Sequence, residues 1–530
     1  MGAFMKHIYH FALNAVKLLT ILLMAGLLLG ALIVTCYADD MESQQVLVMH
    51  DNLLGSVVGI VIYLAAAACC ILLVRRFGKR FRHILLFLTF GIILLGGGVL
   101  IVFGRTVPAA DAMSVYSIAG ALAKGDVSVI HPTESYLSYY PQQVGLVAFL
   151  EILIRFWNVI AAAVPAWHFI KGIYVLLVCL IVFFQYKTIP LLWSQNADEI
   201  SCVYLLLVIF DLPFVMYSSF VYGEIPSFTA FAIGLYFLLK LLRERAEHPA
   251  LCGSASVFFF ALSVMLRKNS LILLIAVILV IAFDALRHPG AKALRRIFLC
   301  ACIGIFGVFV LPLVQKGYEL RSGSTISSGV PATAYFAMGM QEASRGCGWY
   351  NGYNFNTYAD TGMDTALTKE RSRQAIRERL DYFAQNPGYA AEFYLAKELS
   401  QWTDGTYASR QATLATLGGR SAFVKELYEG SLSKFYIYWC NHWQNILYLG
   451  AFLFCLLPYL RKSDPDLIQY LGLIGVLGGF LFHTIWEANS RYIFLYSLLL
   501  IPYAAFGMQA QASGLLKKIA AMRSKRDKRA

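Results

Sequence analysis

With 530 residues, 59% of them hydrophobic and 14% charged, and a mean hydropathy of +0.63, the chain is too apolar for a soluble globular protein of its size. Its net charge of +13 would suit nucleic acid on a soluble surface, but the basic residues cluster in short loops between apolar runs, where they set membrane topology. The expectation is a polytopic membrane protein with no nucleic-acid partner, crossing the bilayer about twelve times in runs of about twenty residues.

The opening run, Phe11 to Cys36, is longer than a signal-peptide core and lacks a small-residue cleavage site, so it reads as a retained helix. An acidic loop, YADDMESQQVLVMHD, follows, then a second apolar run ending in RRFGKRFRH at Arg75 to His83. Excess Lys and Arg marks the cytoplasmic side, which places the amino terminus inside and the acidic loop outside. A third helix, Ile84 to Phe103, leads out again.

The outer loop, 104–164, carries Asp111, Asp126, His131, Glu134, Tyr136, Tyr139 and Tyr140 directly after a strongly apolar run. Asp111 opens a helical pattern with Val115, Ile118, Ala119 and Leu122 on one face, closed by Gly125, and a second such helix begins at Pro141. Both read as amphipathic helices at a membrane surface. Asp111 is then either a helix cap or a carboxylate placed to act where lipid head groups meet water.

Basic inner loops alternate with outer segments to the end of the chain. YGEIPS (Tyr222 to Ser227), RKNS (Arg267 to Ser270) and EANSRY fall outside, while KLLRERAEH, LRHPGAKALRR and LRKSDPD fall inside. Asp211-Leu212-Pro213 interrupts the fifth helix. Residues 1–314 form a transmembrane module, 315–436 an extracytoplasmic lid, 437–512 the last membrane helices and 513–530 a basic cytoplasmic tail. In the lid, Ile376, Leu380 and Phe383 share one helical face, NPG at Asn386 breaks the chain, and Leu395, Leu399 and Trp402 share the next. Both termini are cytoplasmic, and the lack of any N-x-S/T acceptor hints at a bacterial source. Most of the eleven cysteines lie in apolar runs, without disulfide or zinc spacing.

Ionisable residues at helix ends are costly unless they face a cavity or a partner. Carboxylates (Asp111, Glu224, Glu487) and cations (Arg105, Arg267, Lys268, Arg491) converge on the outer face, a combination suited to an anionic lipid. Arg267 and Lys268 break the positive-inside pattern. The inner loops are too short for a nucleotide-binding domain, so the donor is expected to arrive through the membrane, with its phosphate gripped by cations from this set. Snorkelling, dipole and anchoring roles account for each residue taken singly.

The stretches DAMSVYSIAGALAKGD, YYPQQVG, SSFVYGEIPS, LRKNSLILLIA, GWYNGYN and EANSRYIFLYSLLLIPY, in that order, resemble the GT-C superfamily of integral-membrane glycosyltransferases. Within it the likeness is to the bacterial group related to protein O-mannosyltransferases and aminoarabinose transferases. The resemblance implies an all-α bundle with juxtamembrane helices in the first outer loop and a polyprenyl-phosphate sugar as donor. It implies Asp111 as the base on an extracytoplasmic glycan, lipid or protein acceptor, with Glu224, Tyr139, Tyr140 and Gln143 near that acceptor. Ala112 follows Asp111 where a second acid would make a pair, no cofactor is certain, and a divalent metal stays open. Membrane lipids are further partners, and the bacterial cytoplasmic membrane is the expected location. A lipid-linked polysaccharide polymerase or ligase, and a lipid-glycan flippase, are the alternatives.

Overall fold

The computed structural model describes residues 2–38, 45–104, 106–133, 135–288, 290–413, 421–461 and 465–527. Arg105 and Glu134 lie outside the described residues. Among the described residues, eleven helices are long and apolar enough to cross a bilayer, and the chain is a helical multi-pass membrane protein.

These eleven differ in detail from the expected set. They include Pro141–Ala161, read from the sequence as a surface helix, and omit Ala197–Ile209 and Ser270–Ala285. The first of these omissions has 13 residues, because the chain breaks at Asp211, whose carboxylate accepts from the Phe214 amide and caps the short helix Leu212–Met216. The second has 16 residues and falls just short of a full crossing. The acidic loop is not purely irregular either. Val34–Ala38 pairs antiparallel with Val46–His50, and the hairpin's amides at Cys36 and Val46 donate to the carbonyls of Thr403 and Arg345. Its edges are thereby tied to the rest of the polypeptide instead of being left open.

One end of the bundle is laced by ion pairs from basic loops: Arg75 with Glu199 at 2.8 Å, Arg296 with Asp284 at 2.6 Å and Arg243 with Asp466. The other end gathers the polar segments singled out above. There the helix Ala110–Ala123 buries Val115, Ile118, Ala119 and Leu122, the face its periodicity predicts. It lies against Val144–Ala161 and terminates where Gly125, at φ +91°, turns the chain. The Leu122 carbonyl, in the last turn of the helix, accepts from the Gly125 amide (3.0 Å) and also from Arg155 (2.7 Å) and Arg321 (2.9 Å).

The two helices expected after Gln315 are present as Thr365–Gln385 and Pro387–Trp402, broken at Asn386 with Pro387 in the first helical position. Their faces differ from the expectation: Phe383 and Trp402 are buried, whereas Leu380 and Leu395 are exposed. The inward stripe of the first helix runs instead through Thr368, Ser372 and Arg379. The neighbouring chain offers Arg379 a carbonyl, Met340 O at 2.6 Å, as well as the Phe383 ring, which favours a guanidinium over a leucine. Lys397, fully buried, donates to the carbonyls of Gly339, Thr484 and Trp486 at 2.6–2.9 Å. This clamp joins the polar region to the end of the helix Leu471–Ile485.

Candidate functional site

Asp111 is the second residue of its helix. The cap position belongs to Ala109, which has no side chain to cap with, and the Asp111 carboxylate is exposed and makes no hydrogen bond or ion pair among the described residues. The geometry removes the cap role and leaves both carboxylate oxygens available. The helix dipole still favours its charge.

Several groups from distant parts of the chain lie within reach of that charge. Burial, and then the Asp111 carboxylate, push the phenols of Tyr140 and Tyr222 above their ordinary range. Tyr350 is raised by burial, by Glu487 and then by Asp111. Glu487 is buried, and its carboxyl is pushed up to about 7 by that burial, with Arg491 opposing and Asp111 adding to the shift. The Asp111 charge, exposed but near, favours keeping a proton on the buried carboxyl.

Glu224 is the most deeply buried acid of the cluster, at 1% exposure. It stands in the first turn of Glu224–Leu242, where the helix dipole favours an acid. Gly223 brings it there, since a Cβ at that position would lie 2.7 Å from the Leu266 carbonyl. That close approach sets Glu224 against Arg267, the residue that ends the helix Pro249–Leu266, and the two form an ion pair. Arg491 approaches the same carboxylate oxygen at 3.8 Å. Ser227 hydrogen bonds to both Ser263 and Ser270, sewing three helix ends together.

Two guanidinium groups thus share one carboxylate and leave a net charge of one positive unit. Arg491 is placed oddly for structure alone: it sits in the first turn of Ser490–Asp527, where the dipole disfavours a cation by about 0.3–1 kcal/mol. It is held there by the rings of Phe220, Tyr222 and Tyr492, 5.5–5.7 Å from its guanidinium. The dipole and the guanidinium both favour an anion at this point.

The remaining nominated residues divide. Gln143 donates to the Tyr222 hydroxyl and so joins the cluster, and Tyr140 packs on Tyr136 at 4.9 Å. Tyr139 does not join it: its ring stacks on Phe355 at 4.7 Å and its carbonyl accepts from the Val330 amide, making it a contact to the polar region after Ser322. Lys268 is exposed and has no ion pair among the described residues.

Periodicity and charge patterning give no role to Tyr222, Tyr350 and Tyr492, and place Glu487 only among the outer-face carboxylates. Tyr350 arrives because the Ala488 amide donates to Gly348 O at 2.8 Å, pairing the 346–350 loop with the loop that carries Glu487. Gly348, at φ +72° and with Lys397 crowding its missing Cβ, is the sequence signal of that close approach. Among the described residues no group of three or more His, Cys, Asp or Glu is arranged to hold a metal ion. The arrangement can accept a proton at Asp111, bind an anion beside Arg491 and hold a proton on Glu487 more tightly than an ordinary carboxyl does. Compared with family models and with curated proteins, the chain matches none.

Proposed function

We propose that the chain is a membrane glycosyltransferase of the GT-C type, moving a sugar from a polyprenyl-phosphate donor to an extracytoplasmic glycan, lipid or protein acceptor. The observation that carries this reading is the uncommitted Asp111 carboxylate beside a buried cluster with one excess positive charge. Asp111 takes the proton from the acceptor hydroxyl as that oxygen attacks the sugar, a role worth about a hundred- to ten-thousand-fold. As the bond to the lipid phosphate breaks, negative charge grows on the phosphate, and Arg491 at its helix terminus stabilises it more in the transition state than before. Arg267 is engaged with Glu224 and acts chiefly by holding that carboxylate, so the phosphate falls to Arg491, with Lys268 free at the rim.

In this reading the bundle crosses a bacterial cytoplasmic membrane twelve times. Ala197–Ile209 with its short extension and Ser270–Ala285 both cross, Pro141–Ala161 lies along the surface, and both termini are cytoplasmic. The basic loops then lie inside, as the positive-inside rule requires, and the Asp111 cluster faces out.

The test uses membranes from cells expressing the full chain, supplied with polyprenyl-phosphate sugars and analysed for glycan product by mass. Asp111→Asn keeps size and charge-free polarity but cannot accept the proton, and transfer should fall at least a hundredfold. Transfer by the Asn variant at the parent rate, or use of a nucleotide sugar by purified protein with no lipid carrier, would refute the reading.

A further inference from the structure

At the back of the Asp111 helix lies a second charged cluster that the proposed chemistry does not use. Glu151, 4% exposed, accepts from Arg155 at 2.8 Å, Arg321 at 2.7 Å and the Tyr318 hydroxyl at 2.6 Å. The same two arginines both donate to the Leu122 carbonyl. One arginine would neutralise Glu151 and cap the helix. The second leaves one unit of positive charge, and both side chains remain open to the surroundings, Arg155 at 48% and Arg321 at 34%.

Those surroundings are apolar. Ile152, Phe156 and Val159, which flank Arg155 on its helix face, are 57–88% exposed, and Leu320 beside Arg321 is 75% exposed. Such residues face acyl chains, and a guanidinium among them belongs at head-group level. Arg321 lies in the last turn of the 32-residue helix Ala291–Ser322, two residues before Gly323 turns the chain, which sets the same level independently. Each guanidinium has five N–H donors, of which the described residues take two, so among those residues a fork of donors stays unspent on each.

We propose that Arg155 and Arg321 bind the phosphodiester head group of an anionic phospholipid, whose chains lie along Ile152, Phe156 and Val159. The single excess charge matches a singly charged phosphodiester; a polyprenyl-phosphate sugar is a phosphodiester too, and competition between the two lipids separates a glycerophospholipid seat from a second seat for the proposed donor. The bound head group holds in place the two arginines that already donate to the Leu122 carbonyl, and so steadies the helix whose other end carries Asp111. The binding site stands whether or not the chain transfers a sugar.

The experiment is native mass spectrometry of the full-length protein released from mixed phosphatidylcholine and phosphatidylglycerol. The parent should retain phosphatidylglycerol preferentially. Arg155→Gln leaves the Arg321–Glu151 pair intact, removes the excess charge, and should lower that retention about fivefold, the effect of one basic charge at an anionic membrane surface. Arg155→Lys keeps the charge and should restore most of it. The proposal is overturned if the parent shows no preference or if Arg155→Gln retains as much phosphatidylglycerol as the parent. Displacement by inorganic phosphate or by a polyprenyl-phosphate sugar at equal concentration would overturn it as well.

Discussion

Arg267 and Arg491 look alike in the sequence, yet their geometry at Glu224 predicts opposite phenotypes. Glu224 is 1% exposed and accepts no hydrogen bond of good geometry among the described residues, so two guanidinium groups are its compensation. Arg267→Gln removes the one in direct contact. Breaking a buried pair by deleting one partner costs about 3–5 kcal/mol, and Arg491, still 3.8 Å away, recovers part of that, so a loss of about 3 kcal/mol is expected. Arg491→Gln leaves the direct pair in place. It gives up a gross attraction of about 4 kcal/mol at an effective dielectric of 20 but also relieves the repulsion between two guanidiniums on one oxygen, so about 1 kcal/mol is expected. Denaturant unfolding in detergent micelles, with transfer from a lipid donor measured in parallel, separates the two. Arg267→Gln should be unstable, Arg491→Gln should be folded and slow, and Glu224→Gln combined with Arg267→Gln should be more stable than Arg267→Gln alone. Equal destabilisation by both single variants, or no rescue in the double variant, would refute the assignment of Arg267 to Glu224.

Three further outcomes are expected. The Glu487 carboxyl is pushed up to about 7, so the folded state keeps a proton that the unfolded chain releases near 4.3. Its contribution to stability is full below that value and is lost as pH rises through about 7, and anion binding beside Arg491 should weaken over the same range. In Glu487→Gln, KM for the lipid donor should lose that pH dependence, and an unchanged profile would count against the assignment. Gly223→Ala places a Cβ 2.7 Å from the Leu266 carbonyl, which should cost about 1–3 kcal/mol by overpacking and lower transfer by separating Glu224 from Arg267, read as unfolding midpoint and rate together. A cysteine at exposed Ser344 should react with an impermeant thiol reagent in intact cells while one at exposed Ser524 should not, and the reverse pattern would invert the proposed orientation.

Much of the architecture is legible in the sequence because its causes are local. The apolar runs give the membrane class, and the period of Val115, Ile118, Ala119 and Leu122 gives the helix that presents Asp111, buried on that face. The break at Asn386-Pro387 is equally local. What stays hidden depends on neighbours distant in sequence. Leu380 points outward because Arg379 finds a carbonyl and an aromatic ring inside, and no periodicity contains that fact. The hairpin Val34–Ala38 with Val46–His50 sits in a loop whose acidic letters conceal alternating Val and Leu. At the site, the residue types at Asp111, Glu224, Arg267 and Arg491 announce themselves as charges near helix ends. Their division of labour does not, because it follows from which guanidinium touches Glu224, and Tyr350 enters only through the pairing of Gly348 with Ala488.

The Glu224–Arg267 pair also bears on how the polypeptide is made. The helices Glu224–Leu242 and Pro249–Leu266 are consecutive, and their union at Gly223 and Leu266 lets them enter the bilayer as one hairpin with its acid and base already neutralising each other. Arg491, by contrast, belongs to the helix Ser490–Asp527 and reaches Glu224 only after the helices between them have been synthesised. The excess positive charge therefore arises later in synthesis than the pair it joins, so the hairpin that carries Glu224 and Arg267 starts out neutral at this point.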